Sequence, residues 1–97
     1  NIHVNQGVYF GWPGPSLETP AEYKMIHIIG SDVVGMSSIP EVLVSRYYNI
    51  NVCMLSVVSN VCYPKEKIKY TTVESVIKVM NGAAHDLGKL LSNVIIQ

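Results

Sequence analysis

The sequence predicts an α/β fold, and three observations carry that expectation. Apolar runs alternate with helix-start signals in the order strand, helix, strand, helix, strand, loop, helix. Three of those starts have capping-box spacing: Thr19-Pro20-Ala21-Glu22, Ser38-Ile39-Pro40-Glu41 and Thr71-Thr72-Val73-Glu74. The runs Asp32–Met36 and Ile50–Val58 are nearly all apolar, as strands buried on both faces of a parallel sheet are. Such alternation implies helices layered on a mostly parallel or mixed sheet.

Each element has a local reason. Gly7–Trp12 reads as an aromatic-rich strand ended by Pro13 and Gly14. Proline at the first helical position follows Thr19, and the helix is expected to run to about Ile29, with Gly30 as its stop. Ala21, Met25, Ile28 and Ile29 fall on one face and are expected to be its buried side. Ser38 is expected to cap a second helix reaching about Tyr48. Ile50–Val58 is expected to be a central strand holding Cys53 as a small hydrophobe. Asn60–Lys69, with Pro64 and four lysine or glutamate charges, reads as a loop. A long helix then carries Val73, Val76, Ile77, Met80, Ala84, Leu87, Leu91 and Val94 on one stripe. Gly82 and Gly88 each weaken it by about 1 kcal/mol relative to alanine, so packing must help hold it.

Composition narrows the function classes. A chain of 97 residues that is 48% hydrophobic is expected to be one domain, spanning residues 1–97. Only 14% of residues are charged, and mean hydropathy is +0.26, so much of the surface is expected to be covered by more protein. The start at Asn1 fits a piece of a longer polypeptide. Net charge is zero, which lacks the basic footprint of a nucleic-acid binder. No apolar run is long enough to span a bilayer, and no leader pattern opens the chain. Cys53 and Cys62 have no metal-ligand spacing and are expected to be reduced, with cytoplasm the default location. The three histidines do not cluster, and no glycine-rich dinucleotide or phosphate loop and no nucleophile elbow is present.

Chemistry gathers where the apolar runs end, which in α/β sheets is where ligands bind. Glu18 precedes the first capped helix. Its carboxylate either interacts with the helix N-terminus or accepts N–H bonds from a ligand ring. With Ser38 used as a cap, Ser37 is left free beside helix-terminal amides that favour anions such as phosphate. Met36 is either core or a soft apolar face for a sugar. Asn60 must satisfy both a donor and an acceptor, in a turn of its own or on a purine edge.

Taken in order, these segments resemble a known family. Gly14-Pro15-Ser16-Leu17-Glu18-Thr19-Pro20-Ala21-Glu22 resembles the G-P-x-[FL]-E-T-x-A-E segment of trimeric, 6-oxopurine-preferring purine nucleoside phosphorylases. Val34-Gly35-Met36-Ser37-Ser38-Ile39-Pro40-Glu41-Val42 resembles their V-G-M-S-T-x-P-E-V segment, and Ser56-Val57-Val58-Ser59-Asn60 their S-x-[IV]-T-N segment. The match covers nearly the whole chain. It implies the C-terminal portion of a three-layer phosphorylase-type α/β fold, with a mixed or parallel sheet and flanking helices.

The resemblance further implies reversible phosphorolysis of purine nucleosides such as inosine and guanosine by a homotrimer. Phosphate is a co-substrate, and no cofactor or metal is required. It assigns Glu18 to the ring N1–H and 2-amino group, Asn60 to the N7/O6 edge as the catalytic contact, and Ser37 to phosphate. Met36 is assigned to the ribose, and Leu17 and Val34 to the base pocket. Methylthioadenosine phosphorylases are similar but have serine and aspartate where Glu18 and Asn60 stand, which favours hypoxanthine and guanine here. A non-catalytic purine-binding or assembly module is the alternative. Leu17 stands where many members have phenylalanine, and Ser59 replaces threonine. The family's histidine for the ribose 5′-hydroxyl falls near Val73 and is not carried over. The family's glycine-rich phosphate loop, its arginine–histidine segment and a neighbouring-subunit aromatic come from earlier sequence, so this chain is expected to supply the base site and one side of the phosphate site.

Overall fold

Strand β1, Tyr9–Gly11, pairs in parallel with β2, Val33–Gly35, in the register Tyr9 to Val33, Phe10 to Val34 and Gly11 to Gly35. This computed structural model describes residues 2–96. Parallel neighbours need a crossover. Here it contains α1, Pro20–Ile28, giving a βαβ unit. Helix α2, Ile39–Tyr47, follows β2, and a long α3, Val73–Ile95, ends the chain after a short 3-10 turn at Lys65–Lys67. The α/β class is as expected, built among the described residues on two strands.

The helix starts test the capping expectations one by one. Thr19 accepts from the Glu22 amide at 3.3 Å, and the Glu22 carboxylate accepts from the Thr19 amide at 2.6 Å, so the first box is complete. Gly30 closes the helix at φ +94°, a value that favours glycine. The second box does not form. Ser38 sits at φ 73°, in the left-handed region, and its side chain caps nothing. A capping serine needs an extended backbone to turn its hydroxyl toward the helix amides. The third box forms one residue later than the spacing suggests: Thr72 is the cap, and Ser75, not Glu74, closes it, through bonds of 3.0 and 3.1 Å. A serine hydroxyl three residues on reaches the cap amide as well as a glutamate does.

Packing departs further from the sequence pattern. On α1 the buried residues are Tyr23 and Ile26, at 7% and 4% exposure, whereas Ala21, Met25, Ile28 and Ile29 stand exposed. The helix carries apolar side chains on two faces, and the sheet covers one of them. On α3 the half-buried line is Val76, Ala83, Leu87 and Leu90, while Val73, Ile77, Met80, Ala84, Leu91 and Val94 are exposed. Ala83, Leu87 and Leu90 face the N-terminal segment and Met54–Val58 across an open cavity of about 710 Å³.

The largest departure is Ile50–Val58. It forms no strand, and Cys53 is exposed rather than buried in a sheet. A strand exists only where a neighbouring edge accepts its ladder bonds. A cavity of about 660 Å³ lies between β2 and this segment, so no ladder closes. No helix among the described residues is long and apolar enough to cross a membrane.

The caps supply a direct stability test. Thr19→Ala removes the cap acceptor and should cost about 1 kcal/mol in denaturant unfolding. Ser38→Ala removes a hydroxyl that caps nothing and should fall within about 0.5 kcal/mol of the parent. Equal losses at the two positions would contradict the cap geometry.

Candidate functional site

The candidate site grows from the β1–β2 register. The Val8 carbonyl accepts from the amides of Asp32 and Val33 at 3.0 and 3.1 Å, and the Val8 amide donates to the Asp32 carboxylate at 2.7 Å. At the other end the Trp12 amide donates to the Gly35 carbonyl at 2.9 Å. The Tyr9 hydroxyl reaches past that end and donates to the Ser37 carbonyl at 3.0 Å. The chain between β2 and α2 is thus tied to β1 at the point where Ser37 and Ser38 emerge.

Those serines open onto the 660 Å³ cavity, whose walls include Val34, Ser37, Ser38, Asn60, Tyr23 and Cys62. Because Ser38 is left-handed and caps nothing, both serine hydroxyls are available, not Ser37 alone. His27 and Tyr63 stack across the cavity wall with ring centroids 4.1 Å apart, joining α1 to the segment after Asn60.

Asn60 is held by its own neighbours. The Ser59 hydroxyl donates to its Oδ1 at 2.6 Å, and its Nδ2 donates to the Cys62 sulfur at 3.2 Å. A carboxamide has two N–H bonds and two oxygen lone pairs. One of each is engaged here, which leaves one N–H and one lone pair for a ligand. Oriented in this way, the residue presents a donor and an acceptor side by side.

Glu18 is not on the cavity wall. It is 8% exposed, and its carboxylate lies beside the phenol of Tyr23. The phenol in turn neighbours the thiol of Cys62. Burial pushes the Tyr23 phenol well above its ordinary value, and hydrogen bonding with Cys62 and Glu18 pushes the same way. Burial also raises the Cys62 thiol, and the Glu18 charge adds to it, while Tyr23 pulls back in the other direction. The sequence-predicted residues thus divide. Val34, Ser37 and Asn60 share one cavity with Tyr23 and Cys62, and Glu18 does not line it. Leu17, at 57% exposure, and Met36 do not line it. Met36 instead lies over Gly14, whose φ of +70° favours glycine and where an added Cβ would meet the methionine sulfur.

Sequence reasoning missed Tyr23, Cys62 and Ser38. Cys62 lies two residues past Asn60 and Tyr23 one turn into a helix, spacings that carry no motif. Among the described residues no group of three or more His, Cys, Asp or Glu side chains is placed to hold a metal.

The two thiols provide a measurement. The thiolate is the reactive form. Cys53 is exposed, whereas Cys62 is half-buried with a raised pKa, so at pH 8 an alkylating reagent should label Cys53 first, read by peptide mass mapping. Cys62 should follow only as the pH climbs past the ordinary thiol value of 9.0. The same shift ties stability to pH. The neutral thiol is the favoured form in the folded chain, so its contribution is complete below 9.0 and is lost as pH rises through the elevated folded value. Equal labelling of both thiols at pH 8 would contradict this environment.

Comparison with known proteins finds relatives over most of the chain. Purine nucleoside phosphorylase 1 of Geobacillus stearothermophilus is 48% identical over 59 residues, covering 61% of this chain and 22% of the relative. The purine nucleoside phosphorylase of Saccharomyces cerevisiae is 36% identical over 104 residues, covering 94% of this chain and 33% of the relative. That of Mycobacterium leprae is 34% identical over 92 residues, covering 95% and 34%. The chain therefore spans about a third or less of the length of these curated relatives. The model of the phosphorylase superfamily matches residues 1–96, and by that match, joined to a βαβ unit with polar loops at its strand ends, the chain belongs to the phosphorylase superfamily.

Proposed function

We propose that this chain is the base-recognising portion of a purine nucleoside phosphorylase, acting on inosine- and guanosine-type nucleosides. The observation that carries this reading is the Asn60 carboxamide, fixed on the wall of the cavity it shares with Val34 and Ser37, with one donor and one acceptor to spare. As the base departs and N7 gains its proton, a 6-oxopurine presents the complementary pair on its N7/O6 edge: O6 accepts from the Asn60 N–H, and N7–H donates to the Asn60 oxygen.

In phosphorolysis a phosphate oxygen forms a bond to the ribose C1′ as the bond from C1′ to the base nitrogen breaks. The bonding electron pair leaves with the base, which gains a proton. Negative charge therefore develops on the purine, and the free Asn60 N–H meets it there. A donor that is already oriented gains most when the charge appears, so it acts on the transition state more than on the ground state. Ser37, with Ser38 beside it, is proposed to hold one side of the phosphate at the start of α2, where helix amides favour an anion. Glu18 is proposed to accept from the base N1–H and a 2-amino group. Val34 lines the base pocket in this reading. The assignment of Leu17 to the base and of Met36 to the ribose rests on motif position alone.

Phosphate is a co-substrate, no cofactor takes part, and a cytoplasmic homotrimer is the assembly proposed. Because the chain spans a third of its relatives, the rest of the phosphate grip is proposed to come from sequence outside it.

Two measurements test the reading. The 97 residues alone should give no inosine phosphorolysis. In the whole protein that carries this chain, Asn60→Ala should lower kcat/KM by about 10²-fold or more, the scale of losing one oxyanion-type donor. Near-normal activity of that variant would overturn the assignment.

A further inference from the structure

The side chains of Ser59, Asn60 and Cys62 bond to one another, at 2.6 and 3.2 Å. Those bonds fix how the Asn60 amide points relative to its own loop. They move with the loop, so they do not fix where the amide sits across the cavity from Val34 and Ser37. No backbone hydrogen bond ties residues 51–63 to β1, β2 or α1 among the described residues. An amide that must meet a developing charge needs an external tether, because a contact misplaced by about 1 Å loses much of its effect on rate.

An aromatic pair supplies that tether. The ring of His27 lies on the ring of Tyr63, with centroids 4.1 Å apart and planes 20° from parallel. Tyr63 directly follows Cys62, which accepts from the Asn60 Nδ2. His27 sits in the last turn of α1, on a firm support. The residue before it, Ile26, is 4% exposed. The Gly30 amide donates to the His27 carbonyl at 3.0 Å, and the Ser31 amide donates to the Ile26 carbonyl at 3.2 Å. The Ser31 hydroxyl lies 3.1 Å from the Val8 carbonyl and 2.9 Å from the Val33 carbonyl, which ties this end of the helix to the sheet. Stacked rings attract beyond the area they bury. Both rings stay partly open to solvent, so the contact places the loop without belonging to a packed core.

We propose that His27 and Tyr63 are positioning residues that dock the Asn60 loop on α1 and so set where the contact with the leaving base sits, an inference that rests on the phosphorylase reading above. Neither ring is assigned a contact with the reacting atoms. Ser37 has a separate tether, the Tyr9 hydroxyl that donates to its carbonyl at 3.0 Å. The two walls of the cavity are thus held independently: β1 holds the phosphate side, and α1 holds the base side. Releasing the stack misplaces Asn60 and leaves phosphate binding as it was.

The test uses the whole protein carrying this chain, with inosine and phosphate as substrates. His27→Ala and Tyr63→Ala each remove one ring. Each should lower kcat about fivefold with KM for phosphate unchanged, since the contact with the leaving base acts in the transition state. His27→Phe keeps a flat ring and should recover most of kcat, whereas His27→Gln keeps a polar side chain without a ring and should not. The double variant His27→Ala/Tyr63→Ala should be no worse than either single one, because both break the same contact. In an Asn60→Ala background, His27→Ala should have no further effect. A His27→Gln enzyme as active as His27→Phe, a rise in phosphate KM as large as the fall in kcat, or additive losses in either double variant would overturn the proposal. If Tyr63→Ala fails to fold, the His27 series, at an exposed position, decides the question alone. The outcome is separable from the functional reading. A severe Asn60→Ala defect beside a wild-type His27→Ala enzyme refutes the docking pair, whereas an active Asn60→Ala enzyme refutes the phosphorylase reading itself.

Discussion

The rest of this structure depends on the clamp between Val8 and the Ser31–Asp32–Val33 turn. The Val8 carbonyl accepts from the Asp32 and Val33 amides, its amide donates to the Asp32 carboxylate, and the Ser31 hydroxyl lies 3.1 Å from the same carbonyl. These bonds fix the register of β1 on β2. The Ser31 amide also donates to the Ile26 carbonyl at 3.2 Å, so the turn that ends α1 and the turn that starts β2 are one device. A short two-stranded sheet is marginal by itself. Several bonds converging on one residue compensate for its shortness.

From that clamp the site follows by geometry. Register places Gly35 opposite Gly11, the chain leaves β2 toward Ser37, and Tyr9 holds the Ser37 carbonyl. α1 is set above the sheet with Tyr23 and Ile26 inward, which brings the phenol to the cavity. The helix is fixed at its start by the reciprocal bonds of Thr19 and Glu22. Glu18, one residue before that cap, is thereby held where the helix begins, and it is buried there. A local cap thus sets the position of a residue assigned to base recognition.

How much was legible in the sequence depends on how far away each residue's partner lies. The starts of α1 and α3, the stop at Gly30 and the alternation of strand and helix were readable, because their partners lie within a few residues. The Ser38 cap was misread because its spacing fits a box while its backbone is left-handed, a feature set by the tie from Tyr9 to Ser37 and the turn out of β2. Ile50–Val58 was misread because apolar composition measures a wish to be buried, not the presence of an edge to pair with. On α1, periodicity left two apolar faces, and only the sheet chose between them.

The sequence by itself determined the family, the order of the three polar loops and the identities of Glu18, Ser37 and Asn60, since these are properties of residue type and short spacing. Tertiary structure alone decided that Ser37, Val34 and Asn60 share a cavity while Glu18 stands behind it. It alone brought Tyr23 and Cys62 to the wall of that cavity. The physical reason is the same throughout. A cap is satisfied by atoms three residues away, whereas the orientation of a carboxamide is set by whichever groups the fold brings within hydrogen-bond reach.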